Sequence, residues 1–159
     1  MDPQKYSTGN TGGSVFFLDN LVGWITIGGR GFTTANGGEG WKELALPDNF
    51  AIQDTYWTDK STGWIAGYSP ATASRRSGTA ALYKTSDGGT SWNNVYVPGS
   101  KTFFDCLSFA DGRGLLISND SLFISDPNSK DWREVLVLIG SDKDQMEITN
   151  TGDFSCPGG

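Results

Sequence analysis

Apolar and aromatic residues lie along this chain in short runs separated by glycine, serine, asparagine and aspartate, the pattern of β-strands joined by tight turns. Val15-Phe16-Phe17 and Gly23-Trp24-Ile25-Thr26-Ile27 are two such runs. The longest apolar run, Val135 to Ile139, also has the length of a strand. Because no stretch shows the spacing of a long amphipathic helix, the pattern predicts an all-β protein.

The runs recur three times in the same order, and this repeat predicts the architecture. Trp24 and Trp64 are 40 positions apart, and so are Trp92 and Trp132. Each copy holds four strand-like runs, as one blade of a β-propeller does. We therefore expect an N-terminal arm over 1–13, three four-stranded blades at about 14–46, 51–97 and 103–138, and a C-terminal strand or tail over 139–159.

The second copy is longer than the first and third, because Trp41 and Trp92 are 51 positions apart. The extra residues form a Ser- and Ala-rich stretch around Arg75 and Arg76, and insertions in repeat folds map to loops. Two adjacent arginines on a loop of an acidic protein are candidates for binding an acidic partner. A purely solvated loop is the alternative.

A turn motif closes the second copy, with the sequence Thr85-Ser86-Asp87-Gly88-Gly89-Thr90-Ser91-Trp92. An aspartate can accept hydrogen bonds from the amides of its own turn, and glycines supply the positive φ that such a turn needs. Asp87 is therefore predicted to hold the turn rather than to act as a catalytic acid.

Weaker versions of the motif close the other two copies. The first runs from Thr34 to Trp41 with asparagine at the aspartate position, whereas the third has Pro127 there and is expected to fold differently. The residues predicted to form the turns are Thr85, Asp87, Gly89 and Trp92 in the second copy and Thr34, Asn36, Gly38 and Trp41 in the first.

This motif resembles the Asp-box, or BNR, repeat of sialidase-type propellers and of the photosystem II stability and assembly factor family. The resemblance covers about residues 14–138. It implies a propeller whose box tryptophans and Gly-Trp strands pack between blades, and a structural role for Asp87. Tyr56 and Trp57 alternate on one strand, so one of them is a candidate for contact with a partner.

Three blades do not close a ring, because closed propellers use four to eight. The two ends of the chain could supply a fourth blade, two chains could combine into a six-bladed ring, or a different protein could cover the open faces. The last two are favoured, because the tail lacks a Gly-Trp strand and a box.

The residue types argue against an enzyme. The chain has no histidine, which excludes Ser-His and Cys-His nucleophilic catalysis, and its carboxylates show no paired pattern. Asp142, Asp144 and Glu147 lack the spacing and glycine of a calcium loop. We expect no catalytic residue, no metal site and no cofactor.

Charge and chain ends restrict the partners and the compartment. A net charge of -6 disfavours nucleic acid, no apolar run is long enough to span a membrane, and the start of the sequence does not resemble a signal peptide. Cys106 is expected to be a buried, inert thiol that pairs with Cys156 only if the tail folds back. A cytoplasmic or virion-associated protein fits these features.

Two functions remain. The first is a structural or docking protein in a larger assembly, such as an assembly factor, a capsid decoration or a tail protein, with other proteins or copies of itself as partners. The second is a lectin completed by oligomerisation, which would bind carbohydrate on spare aromatic side chains.

Overall fold

The computed structural model describes residues 13–69, 78–99, 104–118, 121–126 and 131–137. Several residues discussed above lie outside these ranges: Arg75, Arg76, Pro127, Asp142, Asp144, Glu147 and Cys156.

Within the described residues the secondary structure consists of twelve short strands. They are β1 (Val15–Phe17), β2 (Gly23–Ile27), β3 (Arg30–Thr34), β4 (Lys42–Glu43), β5 (Ala51–Trp57), β6 (Gly63–Ser69), β7 (Thr79–Thr85), β8 (Asn93–Val95), β9 (Phe104–Ala110), β10 (Arg113–Ser118), β11 (Ser121–Ser125) and β12 (Trp132–Val137).

The strands form three four-stranded sheets in sequence order: β1 to β4, β5 to β8 and β9 to β12. Each strand pairs antiparallel with the strand that follows it in its sheet. We name the sheets blade 1, blade 2 and blade 3. The predicted all-β fold of three four-stranded blades is confirmed.

The hydrophobic core lies between the blades. The first strand of blade 2, β5, packs on β1, β2 and β3, while β9 of blade 3 packs on β5 and β6. Since burying one large apolar side chain contributes about 1.5–3 kcal/mol, these contacts between blades stabilise the fold. The buried residues between blades 1 and 2 include Val22, Trp24, Leu44 and Trp57, and those between blades 2 and 3 include Trp64, Leu82, Phe104, Leu107, Leu116, Phe123 and Trp132.

The two interfaces place an aromatic pair at the same position. Trp24 of blade 1 stacks on Trp57 of blade 2 with ring centroids 4.2 Å apart, and Trp64 of blade 2 meets Phe109 of blade 3 at 4.4 Å. In each pair, a tryptophan on the second strand of one blade covers an aromatic ring at the end of the first strand of the next. The Gly-Trp dipeptide is thus explained by what its tryptophan contacts.

The glycine of the dipeptide makes room for the aromatic ring of its own blade. A Cβ atom placed on Gly63 would lie 2.4 Å from the Trp57 ring, and one on Gly23 would lie 2.6 Å from the Phe17 ring. Trp57 is 1% exposed and fixed by its neighbours, whereas Phe17 is 45% exposed and can move aside.

Gly63→Ala is therefore expected to lower the free energy of unfolding by about 1–3 kcal/mol, as overpacking does in a filled core. Gly23→Ala is the matched control. A smaller loss of unfolding free energy for this variant would show that the Phe17 ring moves aside. Chemical denaturation of both variants measures the difference. Equal losses at the two positions would contradict this explanation of the dipeptide.

Two expectations need correction. Cys106 is buried as predicted, but it is disulfide-bonded rather than an inert thiol. Its partner lies outside the described residues. Trp41 was expected to be buried between blades and is instead 38% exposed, because none of the described residues covers that side of blade 1.

Candidate docking surface

One face of blade 1 is apolar and exposed. Side chains alternate across a strand, so Val15 and Phe17 of β1 share a face with Ile25 and Ile27 of β2, opposite to the face that packs on blade 2. Val15 is 56% exposed, Phe17 45% and Ile27 42%, while Ile25 is half-buried. We call Val15, Phe17, Ile25, Ile27 and Trp41 the open face of blade 1.

The rim of the open face is ordered by polar and aromatic contacts. Trp41 meets Phe17 edge-on with ring centroids 6.3 Å apart. Arg30 lies over the Phe32 ring at 5.3 Å, and its Nε donates a hydrogen bond to Glu43 Oε1 at 2.6 Å. This hydrogen bond lowers the pKa of the Glu43 carboxyl. The open face therefore has an apolar centre and an Arg30–Glu43 ion pair at its edge.

The equivalent face of blade 2 is buried in an inter-blade contact. By register, Thr55, Trp57 and Ile65 are the blade 2 counterparts of Val15, Phe17 and Ile25. Those three residues are 4%, 1% and 0% exposed. Trp24 of blade 1 stacks on Trp57, while Ile65 is buried in a cluster with Phe50, Ile52 and Leu46. The open face thus has the form of an inter-blade contact surface, and no part of the described chain lies against it.

Of the four sequence candidates for partner contact, Tyr56 and Trp57 lie among the described residues. Trp57 lies inside the interface between blades 1 and 2, stacked on Trp24. Tyr56 lies on the other face of β5, with its ring 5.1 Å from Phe16 and 5.0 Å from Phe109. Both rings are used within the protein. Phe17, at the Trp57 position of blade 1, is the exposed aromatic residue that sequence reasoning missed.

The turn that closes blade 2 is held by Asp87. Its Oδ1 accepts hydrogen bonds from the amides of Thr90 and Ser91 at 3.0 and 2.9 Å, and its Oδ2 accepts one from the Ser91 hydroxyl at 2.6 Å. Thr85 donates its hydroxyl to Asp87 Oδ1 and accepts the Gly89 amide. The hydrogen bond from the Ser91 hydroxyl, followed by the other bonds to the carboxylate, lowers the pKa of Asp87 to about 2.

Blade 1 builds the same turn without the charge. Asn36 Oδ1 accepts the Thr34 hydroxyl at 2.8 Å and the Gly40 amide at 2.9 Å, and Thr34 Oγ1 accepts the Gly38 amide at 3.0 Å. Gly38 has a φ of +93°, and Gly89 of blade 2 has a φ of +84°. The predicted turn residues of both blades therefore lie together in matching turns.

Because Asp87 is stabilised as the carboxylate in the folded protein, its contribution to stability is present above pH 3.8 and is lost as the pH falls from there towards about 2. We expect the stability difference between wild type and Asp87→Asn to disappear over this range. Unfolding measured across the acidic range tests this. Asn36→Asp is the converse control, and its stability should acquire the same pH dependence in blade 1. A stability difference between wild type and Asp87→Asn that does not change with pH would contradict this role of Asp87.

A second set of turns was missed by sequence reasoning. Asp19 and Asp59 each follow the first strand of a blade, and the Oδ1 of each accepts two amides of the next residues, those of Leu21 and Val22 and those of Ser61 and Thr62. The amides of Gly37 and Gly88 donate to the carbonyls of Leu21 and Ser61 at 2.8 and 2.9 Å, which ties the two turns of each blade together. The identical spacing from Asp19 to Gly23 and from Asp59 to Gly63 is a signal that could have predicted them.

Blade 3 closes differently, in line with its altered motif. Ser125 Oγ accepts the amide of Gly114 at 2.6 Å, and Asp126 Oδ1 accepts the amide of Asp131 at 3.1 Å. The aspartate that holds this turn is one position earlier than in blade 2.

A buried carboxylate, also missed, connects all three blades. Asp54 of β5 is 6% exposed, and its oxygens accept the amides of Leu107 in blade 3 and of its neighbour Thr55, each at 2.8 Å, and the hydroxyl of Ser14 next to blade 1. Burial raises the pKa of Asp54 despite these bonds. A bulge between Ile52 and Asp54 allows this polar side chain to lie inside the protein.

Among the described residues, no group of three or more His, Cys, Asp or Glu side chains is arranged to hold a metal ion. The described part of the chain also contains no helix long and apolar enough to cross a membrane.

Comparison with known proteins bears on the fold. No family model and no curated protein sequence matches the chain. A solved structure titled "YCF48 bound to D1 peptide" matches with a TM-score of 0.57 at 20% identity. The chain has a β-propeller fold. The match covers 76% of this chain but only 39% of that one, so this chain spans about two fifths of its structural neighbour.

Proposed function

We propose that this protein is a non-enzymatic docking component of a larger protein assembly, an assembly factor or a virion-type structural part, and that the open face of blade 1 contacts its partner. The turns around Thr34–Trp41 and Thr85–Trp92 act as Asp-boxes that hold the blades rigid. The observation that carries the proposal is the exposure of Val15, Phe17 and Ile27 at positions that blade 2 buries.

The energetics of the open face support protein binding. Each large apolar side chain that moves from water into a packed interface contributes about 1.5–3 kcal/mol. The face offers three such side chains with exposures between 42% and 56%, and Trp41 extends it at 38%. Contiguous exposed apolar residues with a polar rim are the usual signature of an interaction site.

The carboxylates do not support catalysis. Asp54 is engaged by the amides of Leu107 and of its neighbour Thr55 and by the Ser14 hydroxyl, and Asp87 is engaged by the hydroxyls and amides of its own turn. Their roles are structural.

The structural neighbour supports a protein as the bound molecule, because that neighbour is bound to a peptide. The arginine pair Arg75 and Arg76 remains a proposed second contact for an acidic partner. A cytoplasmic or virion-associated location likewise remains a proposal.

The lectin alternative receives less support. A sugar platform repeated in each blade needs spare aromatic rings, yet Trp24, Trp57, Trp64 and Trp132 are each at most 4% exposed. Their rings serve inter-blade packing.

A photo-crosslinking amino acid at position 17 tests the proposal. Introduced into the protein and illuminated in extract of its native source, it should give covalent adducts with protein. The same residue at position 96 is the control, because Tyr96 is 77% exposed but lies outside the open face. No adduct from position 17, or equal adducts from both positions, would overturn the proposal.

A further inference from the structure

The two interfaces inside the molecule specify what would fit on the open face. In both, the aromatic ring at the end of the first strand is covered by a side chain from the second strand of the preceding blade, Trp24 on Trp57 and Trp64 on Phe109. Phe17 has the same geometry within its own blade, since its edge-on contact with Trp41 at 6.3 Å matches that of Trp57 with Trp92 at 6.0 Å. The fitting occupant is therefore another blade, oriented as blade 1 is on blade 2.

The described structure has a second end face that meets this requirement. On blade 3, the face turned away from blade 2 carries Leu115 and Ile117 of β10, which pair with Ile124 and Leu122 of β11. All four side chains are half-buried, whereas their neighbours Leu116 and Phe123 are fully buried against blade 2. These four side chains are apolar like those of the open face. Ser108 and Cys106 of β9, which pair with Leu115 and Ile117, share this end face and are 8% and 6% exposed.

Leu115 holds the position that the interfaces give to tryptophan. It follows Gly114 as Trp24 follows Gly23, and a Cβ on Gly114 would meet the rings of Phe109 and Trp132 as one on Gly63 would meet Trp57. If blade 3 met the open face in the internal arrangement, Leu115 would lie over Phe17.

We propose that the partner at the open face is a second copy of this chain, which docks the end face of its blade 3 with Leu115 over Phe17. The inference rests on the proposed docking function of the open face. Two chains of three blades supply six, within the four to eight of closed propellers, and two equivalent head-to-tail contacts close the ring around a two-fold axis.

The competing occupant of the blade 3 end face is the chain's own C-terminal segment. Cys106, which pairs with Ile117 in register, is disulfide-bonded, and the sequence contains one other cysteine, Cys156. The experiment must therefore distinguish a second copy from residues 138–159 of the same chain.

Photo-crosslinking of the purified full chain makes this distinction. A crosslinker at position 17 should give a species of twice the 17.1 kDa chain mass, joined to the peptide that contains Leu115. A crosslinker at position 115 should reach the peptide that contains Phe17 in a second copy. A crosslink from position 115 to residues 138–159 of the same chain would overturn the inference.

Light scattering gives the second readout. Wild type should have twice the chain mass, and Leu115→Asp should weaken self-association at least about 100-fold, because it places an unpaired carboxylate in the contact. Tyr96→Asp is the control and should leave the mass unchanged. If the wild type has the mass of a single chain, the proposal that a second copy covers the open face is wrong. If position 17 then still forms adducts with another protein in native extract, the proposed docking function stands and only the self-association is wrong.

Discussion

Replacing Trp57 by alanine is expected to lower the free energy of unfolding by about 3–5 kcal/mol, the range for large aromatic residues removed from a core. Trp57 is 1% exposed, stacks on Trp24 at 4.2 Å and meets Trp92 edge-on. Its indole nitrogen also donates a hydrogen bond to Thr55 Oγ1 at 2.8 Å. The substitution therefore opens a cavity between two blades and leaves the hydroxyl without this donor. Equilibrium denaturation measures the loss.

Phe17→Ala is the matched control, because Phe17 holds the same position in blade 1 and is 45% exposed. In the Leu115→Asp chain, which is expected to stay monomeric, its removal is expected to cost less than about 1 kcal/mol, since much of its surface is already in water. A loss at Phe17 as large as that at Trp57 would mean that the open face is already covered, and would contradict its description as a free surface.

Asp54→Ala is expected to be the second largest effect, at about 3 kcal/mol or more. The change removes the acceptor for the amides of Leu107 and Thr55 and for the Ser14 hydroxyl, and each buried donor left without a partner costs about 1–3 kcal/mol. Asp54→Asn retains one carbonyl oxygen but directs an amide group at one of the donors, so an intermediate loss is expected.

The same substitution makes a prediction about pH. Because burial raises the pKa of Asp54 in the folded protein, the folded state binds the proton more tightly than the unfolded chain, and the stabilising contribution of this group falls as the pH rises above 3.8. The stability advantage of wild type over Asp54→Ala should be largest below pH 3.8 and shrink towards neutral pH. An advantage that grew with pH would contradict the assignment.

The sequence predicted the strands and their grouping because both depend on local pattern. Alternation within each run and the 40-residue repeat of Trp24 and Trp64 are visible without contacts. The turns at Asp87 and Asn36 were accessible for the same reason, since an aspartate or asparagine among glycines forms its bonds within a few residues.

What the sequence did not reveal depends on which blade lies against which. Phe17 and Trp57 occupy equivalent positions in the repeat, yet one is 45% exposed and the other 1%, and only the arrangement of blades decides this. Asp54 was missed because its bulge interrupts the alternation that sequence patterns rely on, and its partner Leu107 is 53 residues away. The disulfide at Cys106 was likewise missed, because pairing depends on where another part of the chain lies.

The central claim is that the open face of blade 1 is covered by protein in the functional assembly. Hydroxyl-radical footprinting tests it directly. The two samples are the Leu115→Asp chain, which is expected to stay monomeric, and the assembly purified from its native source, with oxidation read at Phe17, Trp41 and Tyr96. We predict that Phe17 and Trp41 are oxidised in the single chain and protected in the assembly, while Tyr96 reacts in both. Equal oxidation of Phe17 and Trp41 in the two samples would contradict the claim.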